Sequence, residues 1–169
     1  MNKTAEDYFK SGYAHLENKD YKLAISDFTE AIRLNPQDPI DAKAYYYRGN
    51  AYYEMNDYEQ AIIDYTEAIR LKPKFAELYD NRGTAYGNTN NYEQAILDFT
   101  EAIRLNPEYP NAYYNRGIAY GNINNYSQAI IDFTEVLRID PNYLYAGQML
   151  SLMTQKLHEE KGHPLDNIS

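Results

Sequence analysis

Carboxylates that recur three residues apart are the first residues in this sequence whose types and spacing suit chemistry: Asp27 with Glu30, Asp64 with Glu67, Asp98 with Glu101, and Asp132 with Glu135. Two carboxyl groups one helical turn apart could act as general acid and general base. Their recurrence argues against that, since a reaction needs one such pair while a repeated scaffold needs one per unit. They are expected to form a solvated helix face. Arg33, Arg70, Arg104 and Arg138 recur too, near helix C-terminal ends, where the dipole favours a cation by about 0.3–1 kcal/mol. Arg48, Arg82 and Arg116 recur just ahead of a glycine and are expected to snorkel, to pair with a nearby carboxylate or to meet a partner. The histidines, His15, His158 and His163, are scattered, and HEEKGH lacks the HExxH spacing that sets two imidazoles on one helix face for zinc. With no cysteine and no Gly-rich phosphate loop, the sequence offers no catalytic residue, metal ligand or cofactor site.

The elements that carry these residues repeat. NYEQAILDFTEAIRLNP (91–107) has counterparts at 20–36, 57–73 and 125–141, and the closing prolines Pro36, Pro73, Pro107 and Pro141 lie 37, 34 and 34 residues apart. A period of 34 with one three-residue insertion implies stacked units, each too small to bury its own apolar face. In the third unit Tyr79, Gly83 and Tyr86 follow helical spacing, a polar break spans 88–91, and Tyr92, Ala95, Ile96, Phe99, Ala102 and Ile103 follow helical spacing again. Each unit thus reads as two antiparallel helices ended by a proline, which disfavours helix in the residue before it. Gly83 and Ala95, with the pairs Gly12–Ala24, Gly49–Ala61 and Gly117–Ala129, are expected to face each other where the two backbones approach. The insertion QDPID (37–41) predicts a bulged loop, because Asp38-Pro39 favours a turn over a longer helix.

These residues carry a resemblance. An aromatic, a Gly, a Tyr, then Ala, Phe, Ala and Pro in 34 residues are supplied by Tyr79, Gly83, Tyr86, Ala95, Phe99, Ala102 and Pro107, and by Tyr45, Gly49, Tyr52, Ala61, Tyr65, Ala68 and Pro73. The chain resembles the tetratricopeptide repeat family, in a bacterial-type variant with Tyr for the family's Trp and Arg48, Arg82 and Arg116 for its Leu. The first unit departs at Ser11 and His15, and the fourth at Val136. The resemblance implies an all-α, right-handed superhelical solenoid of four helix pairs, with repeats at about 5–38, 42–75, 76–109 and 110–143. After them Ala146, Met149, Leu150, Met153 and Leu157 share one helix face. This helix, about 144–161, is expected to cap the fourth unit within a single domain of 1–161, leaving a tail at 162–169. Tyr145 and Leu152 beside that face either widen the cap's stripe or mark a self-association surface.

Most of the 20 tyrosines hold repeat positions, including Tyr65, Tyr109 and Tyr143. Six do not: Tyr13, Tyr46, Tyr47, Tyr53, Tyr114 and Tyr145. In the family the first helices line a concave groove, and the groove positions carried over here hold Phe9, Tyr13, Tyr46, Tyr47, Asn50, Tyr53, Asp80, Asn81, Thr84, Asn111, Tyr114 and Asn115. Either these rings pack between adjacent first helices or they receive a ligand, each returning about 1.5–3 kcal/mol when buried. Asparagine amides suit an extended peptide, since each donates and accepts at once. Gly87 and Gly121 would leave room for a ligand backbone, and Glu6, Glu17, Glu54, Glu77 and Asp80 outnumber Lys10 and Lys43, making the groove acidic.

The resemblance implies a non-enzymatic module that binds a peptide or protein, with a self-assembling scaffold as the alternative and a homo-oligomer possible. One subgroup grips chaperone C-terminal carboxylates with Lys and Asn. Here Asn50 and Asn81 match its amides, but Tyr46, Asn111 and Asn115 stand where cations are expected, so that clamp is not predicted. Asn81 and Asn115 resemble instead the start of an asparagine ladder like that of the O-GlcNAc transferases. A formal charge of −9, from 25 acidic against 16 basic residues, disfavours nucleic acid and anionic membrane and favours a neutral or basic protein partner. Neither a signal-peptide core nor a membrane-length apolar run is seen, so a cytoplasmic location is expected.

Overall fold

The computed structural model describes residues 3–34 and 39–162, including all of their side chains except those of 39–41. Among these residues the elements are nine α-helices: α1 (Ala5–Glu17), α2 (Tyr21–Leu34), α3 (Pro39–Glu54), α4 (Tyr58–Leu71), α5 (Ala76–Asn88), α6 (Tyr92–Leu105), α7 (Pro110–Asn122), α8 (Tyr126–Ile139) and α9 (Ala146–Glu160). They form an α-solenoid in which each helix packs mainly on the one before and the one after it.

The turn inside each pair is written in its polar residues. Asn56, Asn90 and Asn124 take left-handed backbone, with φ of 60, 59 and 59°, a region asparagine enters more readily than most residues. The next residue, Asp57, Asn91 or Asn125, caps the second helix by accepting from the backbone N–H of Gln60, Gln94 or Gln128. Tyr58, Tyr92 and Tyr126 then donate their hydroxyls back to the left-handed asparagines at 2.7, 2.8 and 2.7 Å. The first unit differs. Lys19 holds the left-handed position at φ 63°, and Tyr21, with no asparagine to bond, donates across to Glu54 Oε2 at 3.3 Å.

The close approach of the two helices has a different partner from the expected alanine. A Cβ on Gly83 would lie 2.8 Å from Phe99 Cε1, and one on Gly49 2.8 Å from Tyr65 Cε1; Gly12 and Gly117 meet Phe28 and Phe133 in the same way, at 3.0 Å. The glycine is thus a seat for the aromatic ring of the second helix. The alanines are fully buried at another junction, for Ala95 packs with Ala119 of the following unit and Ala61 with Ala85.

The expected solvated face is also corrected. Asp64, Asp98 and Asp132 are buried, and each receives two bonds from an arginine of its unit's first helix. Arg48 Nε and Nη2 reach Asp64 at 2.8 and 2.7 Å, Arg82 reaches Asp98 at 2.8 and 2.7 Å, and Arg116 reaches Asp132 at 2.9 and 2.8 Å. The third nitrogen, Nη1, donates to Thr29, Thr66 or Thr100 in the second helix of the preceding unit, at 2.9, 3.0 and 3.0 Å. One guanidinium therefore ties three helices together across a unit boundary. Burial works against its charge, but the aspartate bond and charge outweigh this and hold Arg48, Arg82 and Arg116 above their ordinary range. Glu67, Glu101 and Glu135, by contrast, make surface pairs with Arg70, Arg104 and Arg138 one turn on. In the first unit Ser11 replaces the arginine, and His15 Nε2 stands 3.7 Å from Asp27 instead.

Of the expected loop at 37–41, residues 37 and 38 lie outside the described residues, but Pro39 already begins α3. The insertion thus lengthens a first helix from 13 to 16 residues rather than making a turn up to residue 41, consistent with proline's preference for a helix's first turn. At the other end α9 lies on α8, burying Met153 against Ala129 and Phe133, with Ala146 buried as well, as the apolar stripe predicts.

Replacing Arg82 by methionine should cost about 3 kcal/mol in urea unfolding, because Asp98 is left buried without its cation. The double variant Arg82→Met, Asp98→Leu should recover most of that loss. A double variant no more stable than the single one would show that the contact to Thr66, rather than the charge pair, carries the effect.

Candidate functional site

First helices approach one another more closely than second helices do: α1 also touches α3, and α5 touches α7, beyond the contacts within pairs. The array therefore curves with its first helices inside, and two clefts open between them. The larger, about 530 Å³, lies among the C-terminal ends of α1 and α3 and the middle of α5, walled by Glu17, Tyr21, Tyr46, Asn50, Tyr53, Glu54, Tyr65 and Asn81, with Leu16, Lys19 and Thr84. The second, about 360 Å³, is bounded by Lys43, Tyr46, Tyr47, Lys72, Phe75 and Leu78 at the N-terminal ends of α3 and α5. Tyr46 is common to both. A third hollow of about 210 Å³ lies further along, over Thr84, Gly87, Asn115 and Ile118.

The sequence-predicted residues divide among these places. Tyr46, Asn50, Tyr53, Asn81 and Thr84 meet in the first cleft, Tyr46 and Tyr47 in the second, and Thr84 and Asn115 in the third. Tyr47 is more wall than surface: its ring stacks on Phe28 at 6.0 Å and meets Phe9, Tyr13 and Tyr46 edge-on at 5.9, 5.1 and 5.0 Å. Phe9 lies against Phe28, Tyr13 is exposed, and Tyr114 is packed against Phe133 and Tyr143. Asn111 accepts from the Tyr143 hydroxyl at 2.8 Å. Gly87 faces open space, but a Cβ on Gly121 would lie 3.0 Å from Met153 Sδ, so the capping helix fills the room expected there.

Asp80 is not a free groove acid. It is buried, accepting from Asn115 Nδ2 at 3.0 Å and from the Tyr109 hydroxyl at 3.1 Å, and makes no ion pair among the described residues. Burial pushes its carboxyl above the ordinary value, opposed by these two neutral donors. The same contact helps to push the Tyr109 hydroxyl up, although burial is the larger cause. Asn115, read as a ladder rung, is thus committed to Asp80, whereas the Asn81 side chain has no hydrogen-bond partner among the described residues and faces the first cleft.

Tyr65, assigned to the scaffold by its repeat position, also walls that cleft; its buried hydroxyl donates to Asn50 Oδ1 at 2.8 Å and so orients the amide, leaving the NH₂ for a ligand. Asn88 similarly donates to the Tyr53 hydroxyl at 2.9 Å. Phe75 escaped the sequence reading altogether. It takes the place of Tyr109 and Tyr143, whose hydroxyls bond back to Asp80 and Asn111, and with no hydroxyl it stays 58 % exposed beside the second cleft. Among the described residues no group of acidic or histidine side chains is placed to hold a metal ion, and no helix is long and apolar enough to cross a membrane.

Helix pairs stacked at a period of 34, with a groove on their inner face, are the architecture of a repeat-built protein-interaction fold. Family comparison agrees: tetratricopeptide repeat models match residues 5–38, 42–75 and 110–143, and a TPR repeat model matches 88–124, so the chain belongs to the tetratricopeptide repeat family. Comparison with curated protein sequences finds no match. Among solved structures it is similar to the MamA protein, at 25% identity and TM-score 0.85, over 96% of this chain and 85% of that one. It is also similar to the first TPR of Spaghetti (RPAP3) bound to the HSP90 peptide SRMEEVD, at 31% identity and TM-score 0.69, over 71% of this chain and 95% of that one. The first TPR domain of human RPAP3 matches at 30% identity and TM-score 0.69, over 72% and 95%.

A carboxyl raised by burial makes the folded state bind more protons than the unfolded chain between the ordinary aspartate value and the raised one. Asp80 therefore withdraws stability as the pH rises through that window. Asp80→Asn should be more stable than the parent at pH 7, by on the order of 1 kcal/mol, and the difference should shrink towards pH 4. Urea unfolding at both pH values measures it, and an equal difference at each would refute the burial argument.

Proposed function

We propose that this chain is a non-enzymatic module that binds an extended peptide or protein segment along the groove of its first helices. The observation that carries this reading is the first cleft, which the amides of Asn50 and Asn81 line together with the ring of Tyr46. Asn81 has no side-chain partner among the described residues, and the Tyr65 hydroxyl fixes Asn50 with its NH₂ outward. Two amides so placed can bond the N–H and C=O groups of a strand whatever its side chains. Glu17 and Glu54 line the same cleft, and Tyr46, Asn111 and Asn115 occupy the places where a carboxylate clamp needs cations. The ligand chemistry thus differs from a grip on a C-terminal carboxylate, which would leave an uncompensated charge. The acidic balance suits a neutral or basic partner.

A second reading, self-assembly, is favoured by one observation: Leu144, Tyr145 and Leu152 at the C-terminal end are 68, 56 and 42 % exposed, beyond what the cap uses. Such a patch can serve as a contact between copies.

Asn81→Arg places a long cation in the first cleft from a half-buried site with no bonds to break. Immobilised parent and variant, with equal helicity by circular dichroism, should retain different sets of proteins from a cell extract, the variant losing a distinct subset. Identical sets would reject the groove. Light scattering during size exclusion at high concentration decides the second reading, since a strict monomer excludes it.

A further inference from the structure

The two larger clefts sit where the chain breaks its own repeat. In the first, Lys19 replaces the turn asparagine, which releases Tyr21 to reach Glu54. In the second, Phe75 replaces a tyrosine and remains uncovered. Both departures fall in the same half of the groove, on either side of Tyr46. The other units fold and stack without them, with asparagine at the turn and tyrosine ahead of the third-to-fourth boundary.

We infer that this half of the groove reads a bipartite peptide, in which a basic side chain enters between Glu17 and Glu54 and a large apolar side chain docks on Phe75 and Leu78, with the strand crossing Tyr46. This rests on the groove reading above and adds the chemistry of its ligand. Glu54 takes a hydroxyl bond from Tyr21, while the charge of Glu17 lies close enough to Tyr13 to raise its hydroxyl's pKa. Neither makes an ion pair among the described residues, so each keeps acceptor capacity for an N–H donor. The chain's own arginines cannot fill the place, since Arg33, Arg48, Arg70, Arg82, Arg104, Arg116 and Arg138 each hold another carboxylate. Lys19 also reaches the cleft, which leaves its wall with two carboxylates and one ammonium. The rings of Tyr21 and Tyr53 offer the flat faces on which a guanidinium stacks.

The second cleft has the opposite character. Tyr47, Phe75 and Leu78 give it an apolar floor, while Lys43 and Lys72 outnumber Glu77 at its rim. A basic residue is disfavoured there and a large apolar one is accommodated. The two ends therefore fix the direction in which a strand lies, with Asn50 and Asn81 holding the backbone near the basic end.

A random dodecapeptide display library, selected on the full chain, tests this. Selected peptides should be rich in Arg or Lys, poor in Asp and Glu, and carry a large apolar residue. A synthetic winner should lose roughly tenfold in affinity by fluorescence anisotropy when its basic residue becomes glutamine, in keeping with one charge-assisted contact. In the Glu17→Gln, Glu54→Gln variant, whose exposed side chains break no ion pair, that difference should vanish, while the glutamine peptide binds as to the parent. Winners blocked by Asn81→Arg but indifferent to the basic residue overturn the bipartite reading alone. So do winners whose basic preference survives the double glutamine variant. Winners indifferent to Asn81→Arg, or no winners at all, overturn the groove reading with it.

Discussion

The guanidinium that bridges three helices is the contact on which the rest of this molecule depends. A helix pair of this size cannot bury its apolar face alone, so stability comes from stacking, and stacking needs a register. Apolar contacts between alanines and rings reward proximity but tolerate sliding. Two parallel bonds from Arg82 to Asp98, with a third to Thr66, are satisfied at one arrangement only. Taking both charges out of water is costly, and the pair adds less net stability than its short distances suggest. Its value is that it holds α5 on α6 in one setting, from which the third bond, to Thr66, fixes the pair against the preceding unit.

Around that contact the inner face is built almost as a by-product. The arginine, the glycine before the aromatic ring and the alanines occupy the faces of a first helix that look towards its neighbours. What is left over faces the groove. This explains why Tyr46, Asn50 and Asn81 meet although they come from two helices, and why no residue type at their positions is common to all four units. Phe9, Tyr47 and Tyr114 show the limit of that division, because large rings on the inner face also fold back onto Phe28 and Phe133.

Fold was legible because it is written four times. The prolines, the turn asparagines and the apolar spacing each recur, and a recurring residue can be assigned to stacking without knowing its contacts. The same reasoning misplaced Asp64, Asp98 and Asp132. Helical spacing shows that an aspartate and a glutamate share a neighbourhood, but not that the aspartate points inward to an arginine sixteen residues earlier. Gly83 marks a close approach that its spacing already implies, yet its partner Phe99 is set by rotamer and tilt, which sequence does not carry. In the groove, Glu17 and Glu54 stood at expected positions, whereas Phe75 and Tyr65 were hidden because both occupy places the repeat explains. Asp80 was hidden in the opposite sense: its burial depends on Tyr109, at the far end of its own unit, and on Asn115, from the next one.

Thr134 makes the same bond to the carbonyl of Ile130, at 2.8 Å, that Thr29, Thr66 and Thr100 make to theirs. Those three threonines each accept an arginine from the following unit, but α9, which follows Thr134, has no arginine to offer. The last unit thus ends in a vacant socket of the same pattern as those used inside. Nothing in the lock itself counts units; the number is set by a helix that covers the apolar face while lacking the key. An insertion of whole 34-residue units before α9 would find its fastening already in place, so this architecture can lengthen by duplication without any new interface having to evolve.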